Sequence, residues 1–134
     1  YTHSIMDVPS DEKIGKMTFA RLLKTTNRQL IASFCFIFLP YFILLLGLGI
    51  HVINGTFLLV FLSLPLAIML FYLIVKFVKN PQSVVTPKWW MQPMEKWKMI
   101  EDYGIEWFMI RWYMARNLLM LFSLLLLLGI FFQK

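Results

Sequence analysis

Two aspartates four residues apart, Asp7 and Asp11, stand in the stretch YTHSIMDVPSDEKIGKMTFARLL, with Lys13, Lys16 and Arg21 close behind. On a helix, residues i and i+4 share a face, so His3, Asp7 and Asp11 are expected to form one polar stripe. Like charges so placed repel by roughly a few tenths of a kcal/mol. A divalent cation relieves that repulsion. Mg²⁺ takes oxygen ligands, keeps several waters and is often shared between carboxylates and substrate phosphates. The nearby lysines would meet phosphate oxygens as point charges. A second reading needs no metal. In it Asp7 caps a helix that begins at Val8-Pro9, and Asp11 and Glu12 favour its N-terminus. The cations from Lys13 to Arg28 then form a basic collar against anionic lipid. Pro9 bears on both readings. It removes one helical hydrogen bond between the aspartates, so the helix there is kinked or only starting.

The elements that must position these residues are apolar. Hydrophobic residues make up 60% of the 134 and charged residues 15%, the balance of a membrane protein rather than a soluble domain. Leu30–Ile50 is an uncharged run long enough for one bilayer crossing, and Pro40 is expected to kink it. After the turn HVINGT, a second uncharged run covers Phe57–Val75, with Pro65 inside it. Asn80-Pro81 stops it. A third run, Leu118–Phe132, is short and must borrow from Trp107–Asn117 to span. Arg111 and Arg116 are then expected at the interface as headgroup anchors. All five tryptophans lie between the second and third runs. That segment, about 80–110, is expected to lie at the headgroups, with an amphipathic helix from Met94 that Gly104 ends.

The fold class that follows is all-α, a multi-spanning transmembrane helical bundle with three spans at 30–134 preceded by the motif segment 1–29. The net charge of +6 sits in residues 1–29 and 76–117, with Lys134 alone in the tail, while the turn 51–56 carries no Lys or Arg. The positive-inside rule places the motif segment and the aromatic segment in the cytoplasm, and the turn and C-terminus outside. A basic surplus of this kind points to lipid headgroups and phosphates, not to nucleic acid. The lone Cys35 lies in an apolar run and reads as filler. His3 and His51 fall on opposite sides of the membrane, and Glu101-Asp102 reads as a solvated face. Ser33, Ser63 and Ser123 read as helix-packing residues.

Asp7-Val-Pro-Ser-Asp11, then Gly15-Lys16 and Thr18-Phe19-Ala20 ahead of a span, resembles the second aspartate motif of the UbiA superfamily of membrane prenyltransferases. That motif runs roughly DxxxDxxxGKxTLA. Phe19 replaces the usual Leu, and Arg21-Leu22-Leu23-Lys24 stands where the family has Val-Arg-Leu-Gly, so the glycine is missing. The stretch LSLPLAIMLFYLIVKF is similar to the family's eighth helix. The resemblance implies a nine-helix fold of which this chain supplies the last three, the N-terminal helices of the same protein being its partner. It implies transfer of an isoprenoid from a prenyl diphosphate to an aromatic acceptor in quinone-type biosynthesis, with Mg²⁺ as cofactor. By the same carry-over Asp7 and Asp11 are metal ligands, Lys16, Lys13 and Arg21 contact the diphosphate, and His3 lines the pocket. The family's first motif, NDxxDxxxD, does not occur here, since no acid lies between Glu12 and Glu95. The chain, which begins at Tyr1 and shows no signal-peptide pattern, is therefore expected to be part of a longer one. The competing expectation is a small three-span subunit or scaffold, without catalysis, whose basic loops bind lipid or a partner.

Overall fold

A computed structural model describes residues 1–91 and 93–133, and Gln92 and Lys134 lie outside the described residues. Every regular element among the described residues is a helix. Three short helices come first: α1 (Thr2–Met6), α2 (Val8–Lys13) and α3 (Phe19–Leu22). The first long helix, α4, covers Thr26–Gly49. It starts inside the segment assigned to the motif because Thr25 caps it, its hydroxyl accepting from the Arg28 amide at 3.4 Å. The helical run passes through Pro40. It ends at a tight turn in which His51 takes a left-handed φ of 55°.

The second apolar run is not one uniform helix. Gly55–Ser63 is 3₁₀, and α5 (Leu64–Lys79) begins with Pro65 in its first turn. Proline suits that position, where its missing N–H has no partner to lose. Helix α6 (Trp97–Asp102) is short, and α7 runs from Glu106 to Phe131. Among the described residues, three segments can cross a bilayer by length and composition: Thr26–Gly49, Gly55–Lys79 and Glu106–Phe131, of 24, 25 and 26 residues. At about 1.5 Å per residue each exceeds the roughly 30 Å hydrocarbon core. The molecule is thus an all-helical, multi-pass membrane bundle.

Helix α5 lies at the centre. Leu66, Leu70, Leu73, Ile74 and Phe77 recur at helical spacing and are buried. At the motif end they meet Ile110 and Met114 of α7, Ile5 and Met6 of α1, and Met91, Met94 and Ile100. A second core of Tyr41, Val60, Ala67 and Leu125 fills the other half. There Gly129 of α7 lets the 3₁₀ segment close in. A Cβ at Gly129 would come within 3.1 Å of the Phe57 ring, and Thr56 Oγ1 donates to the Gly129 carbonyl at 3.1 Å. Small residues allow this approach between apolar helices.

Residues 80–91 and 93–105 fold back over the end of the bundle, burying Met91, Met94 and Ile100, and carry the short helix α6. One expectation is corrected here. Arg111 is no headgroup anchor, because it is fully buried. Its guanidinium donates to the Leu73 carbonyl at 3.0 Å, the Ser83 hydroxyl at 2.9 Å and carbonyl at 3.2 Å, and the Trp107 carbonyl. Nearby Asn117 Nδ2 donates to the Met91 and Pro93 carbonyls, and Tyr113 to that of Glu95. These polar groups of α7 hold the segment down. Arg116 is partly exposed, 4.6 Å from the Tyr113 ring centroid, and donates to the Pro93 carbonyl. Gly104, at φ 66°, separates α6 from α7 as expected.

Candidate functional site

Pro9 divides the motif into two helices. The Asp7 amide still donates to the His3 carbonyl at 3.0 Å, and the Asp11 amide to that of Asp7 at 2.8 Å, so helical spacing survives the break. Asp7 occupies the cap position of α2, but its backbone is helical and its side chain makes no cap bond. It faces His3 instead, Oδ2 lying 3.5 Å from Nδ1, with both side chains about half exposed. The expected single stripe therefore divides between two environments. Asp11 is buried, with 4% of its surface exposed. Its Oδ1 lies 3.9 Å from the Lys16 ammonium, and its Oδ2 has no hydrogen-bond partner among the described residues.

Gly15 makes the return from α2 possible. At φ 70° it takes a conformation open to glycine, and the Lys16 amide closes on the Asp11 carbonyl at 2.9 Å. Arg21 clamps that loop, its guanidinium donating to the Asp11 carbonyl at 3.1 Å and to the Lys16 carbonyl. Its observed role is thus to hold the loop. Lys13 and Lys16 are exposed. The loop is anchored to α4 through Gln29, whose Nε2 donates to the Ala20 carbonyl at 2.9 Å. The Tyr1 hydroxyl donates to the Gln29 carbonyl at 3.2 Å. Burial raises the Tyr1 phenol above its ordinary pKa, an effect that the nearby Ser33 hydroxyl partly offsets.

Beneath the motif lies a cavity of about 660 Å³ among α1, α3, α4, α5 and α7. Tyr1, Thr2, Ser4 and Ser33 bring hydroxyls to its motif end, and Phe36, Ile37, Ile74 and Leu118 make its walls apolar. His3, expected to line the pocket, is not among the lining residues. It lies edge-on to Phe108, ring centroids 5.1 Å apart, because one helical turn sends Tyr1 and Ser4 inward and carries His3 to another face. The cavity was not legible as a site in sequence, since its walls read as ordinary span residues.

Among the described residues no group of three or more His, Cys, Asp or Glu side chains is placed to hold a metal by itself. The unpartnered carboxylate oxygen of Asp11 is buried, whereas the Asp7 carboxylate is about half exposed and faces His3. No family model, curated protein or solved structure matches the chain.

Proposed function

We propose that the chain is the C-terminal part of a UbiA-type prenyltransferase, joining the isoprenoid of a prenyl diphosphate to an aromatic acceptor of the quinone-precursor kind. The observation that carries this reading is the position of the cavity. It is an apolar space between membrane-crossing helices, and Tyr1, Thr2 and Ser4, which bring hydroxyls to one end of it, belong to the same segment as the two carboxylates and three cations. An amphiphile with an anionic head and a hydrocarbon tail matches both ends. A second feature agrees. Lys24 stands at φ 56°, the left-handed conformation suited to the glycine that the family carries there.

In this reading Asp7 and Asp11 hold Mg²⁺, directly or through water, and the metal when bound neutralises charge on the diphosphate. Lys16 and Lys13 meet the phosphate oxygens, and Arg21 fixes the loop that carries them. The bond between the first prenyl carbon and its phosphate oxygen breaks, and the electron pair leaves with the diphosphate. The rings of Tyr1, Phe19 and Phe36, clustered with centroids 5.0–6.0 Å apart, offer π faces to the allylic cation that remains. Apolar walls keep water from it. A carbon of the acceptor ring attacks the cation, and the proton it loses passes to the released diphosphate. The first aspartate motif comes from helices preceding these residues. By charge distribution the motif segment faces the cytoplasm.

The competing reading is a three-span scaffold. It is favoured by the mutual engagement of Asp11, Lys16 and Arg21, which closes the loop on itself. The full-length protein in detergent or lipid, given prenyl diphosphate, Mg²⁺ and an acceptor panel, decides between them. Expected is Mg²⁺-dependent diphosphate release that falls at least about a hundredfold in Asp7→Ala, Asp11→Ala and the isosteric Asp11→Asn. Release that all three variants leave intact would return these residues to a structural role.

A further inference from the structure

The cavity is open along one side, where Phe36 and Leu119 are exposed, and Tyr41 and Phe122 stand at its far end. On α4 its lining runs from Ser33 to Tyr41, and on α7 from Ala115 to Phe122. On α5, which runs the opposite way, it runs from Ile74 back to Leu70. Eight residues of helix from Ser33 to Tyr41 rise about 12 Å. At that depth Tyr41 and Phe122 meet edge to face, centroids 5.3 Å apart and planes at 87°. Below them lies the second core, with Val60, Ala67 and Leu125.

The floor is fixed by more than packing. Ser63 Oγ donates to the Val60 carbonyl at 2.7 Å. A hydroxyl has one proton to give, so the Tyr41 hydroxyl, 2.6 Å away, is the donor to Ser63 Oγ. That chain ties the Tyr41 ring to the end of the 3₁₀ segment. Phe61 adds a third ring at 5.6 Å. Moving Tyr41 aside would strand a hydroxyl at membrane depth, where no water replaces its partner.

We infer that the Tyr41–Phe122 pair sets the length of hydrocarbon chain the cavity accepts, and so is a specificity-determining floor. The inference rests on the proposed transferase reading for the identity of the chain. An isoprene unit contributes four backbone bonds of about 1.5 Å, roughly 5 Å once zigzagged. A depth of about 12 Å therefore takes two units in full and stops the third. A geranyl chain ends short of the floor, whereas farnesyl and geranylgeranyl chains run against it.

The test uses the full-length protein in detergent. Binding of geranyl, farnesyl and geranylgeranyl diphosphates with Mg²⁺, and of the three parent alcohols without it, is measured by competition alongside turnover. The parent should prefer geranyl in both series, by about tenfold or more over geranylgeranyl, given what one misfitted methylene costs in an apolar pocket. Tyr41→Ala and, from the other helix, Phe122→Ala should each move the preference to a longer chain. Tyr41→Phe keeps the ring and should keep the preference. If Tyr41→Ala fails to fold, Phe122→Ala carries the same test. A parent that binds all lengths alike, or none, overturns the floor, as does a preference that neither alanine variant moves. Length selection among alcohols with no diphosphate turnover would leave the floor standing and remove the transferase reading. Turnover with no response to either variant would do the reverse.

Discussion

Arg111 shows how a single charged side chain is tolerated inside the bundle. The groups that receive its hydrogen bonds are neutral oxygens of Leu73, Ser83 and Trp107, and the Phe77 ring lies 5.1 Å from its guanidinium carbon. The planar fork reaches these acceptors on different elements at once, and an ammonium cannot. Arg111→Lys is therefore expected to destabilise the protein by about 2 kcal/mol or more, since each lost bond to a charged donor is worth roughly 1.5–3 kcal/mol. Thermal unfolding in detergent measures it, and a Lys variant as stable as the parent would show that charge alone suffices. Asp11 is the opposite case. Its buried, unpartnered oxygen is a cost the fold carries without visible return, and such a group is where a ligand is to be sought.

Among the elements, the loop between α2 and α4 turns on two left-handed residues. Gly15 is suited to its φ of 70° and nothing lies within 4 Å of where its Cβ would be. Gly15→Ala should thus cost about 1–2 kcal/mol from backbone strain without a clash. Lys24 bears the same strain at φ 56° in an exposed position. Lys24→Gly should therefore stabilise the protein by about 1 kcal/mol, provided relief of strain outweighs the entropy of the added glycine. Opposite signs for the two variants in one unfolding series are the expected result. A destabilising Lys24→Gly would mean that its side chain, not its backbone, matters there.

At the scale of the whole molecule the prediction concerns sidedness. From the distribution of Lys and Arg, residues 1–29 and 76–117 are expected on one side and the turn 51–56 on the other. With Cys35 replaced by Ala, Lys13→Cys and Lys88→Cys should react with a membrane-impermeant maleimide from the cytoplasmic side, and His51→Cys from the opposite side. All three positions are exposed. Labelling of Lys13→Cys and His51→Cys from the same side would break the three-span topology. Tyr1, Thr2 and Ser4 reach the cavity because the first three short helices pack against the bundle end, with Ile5, Met6 and Ala20 in its core.

What the sequence determined by itself is what depends on near neighbours along the chain. Unbroken apolar runs are long enough to cross a bilayer, so three spans were legible, with ends misplaced by a few residues, as where Thr25 starts the first helix. The i, i+4 spacing of His3, Asp7 and Asp11 was legible as backbone register. The tertiary structure alone decided which of those carboxylates is buried, that Arg21 clamps a loop, and that Arg111 holds a segment 28 residues away at Ser83. It also made a cavity from residues as far apart as Tyr1 and Phe122. An apolar span residue looks the same in sequence whether it faces lipid, a neighbouring helix or an internal space. Only the packing of α4, α5 and α7 distinguishes those three surroundings.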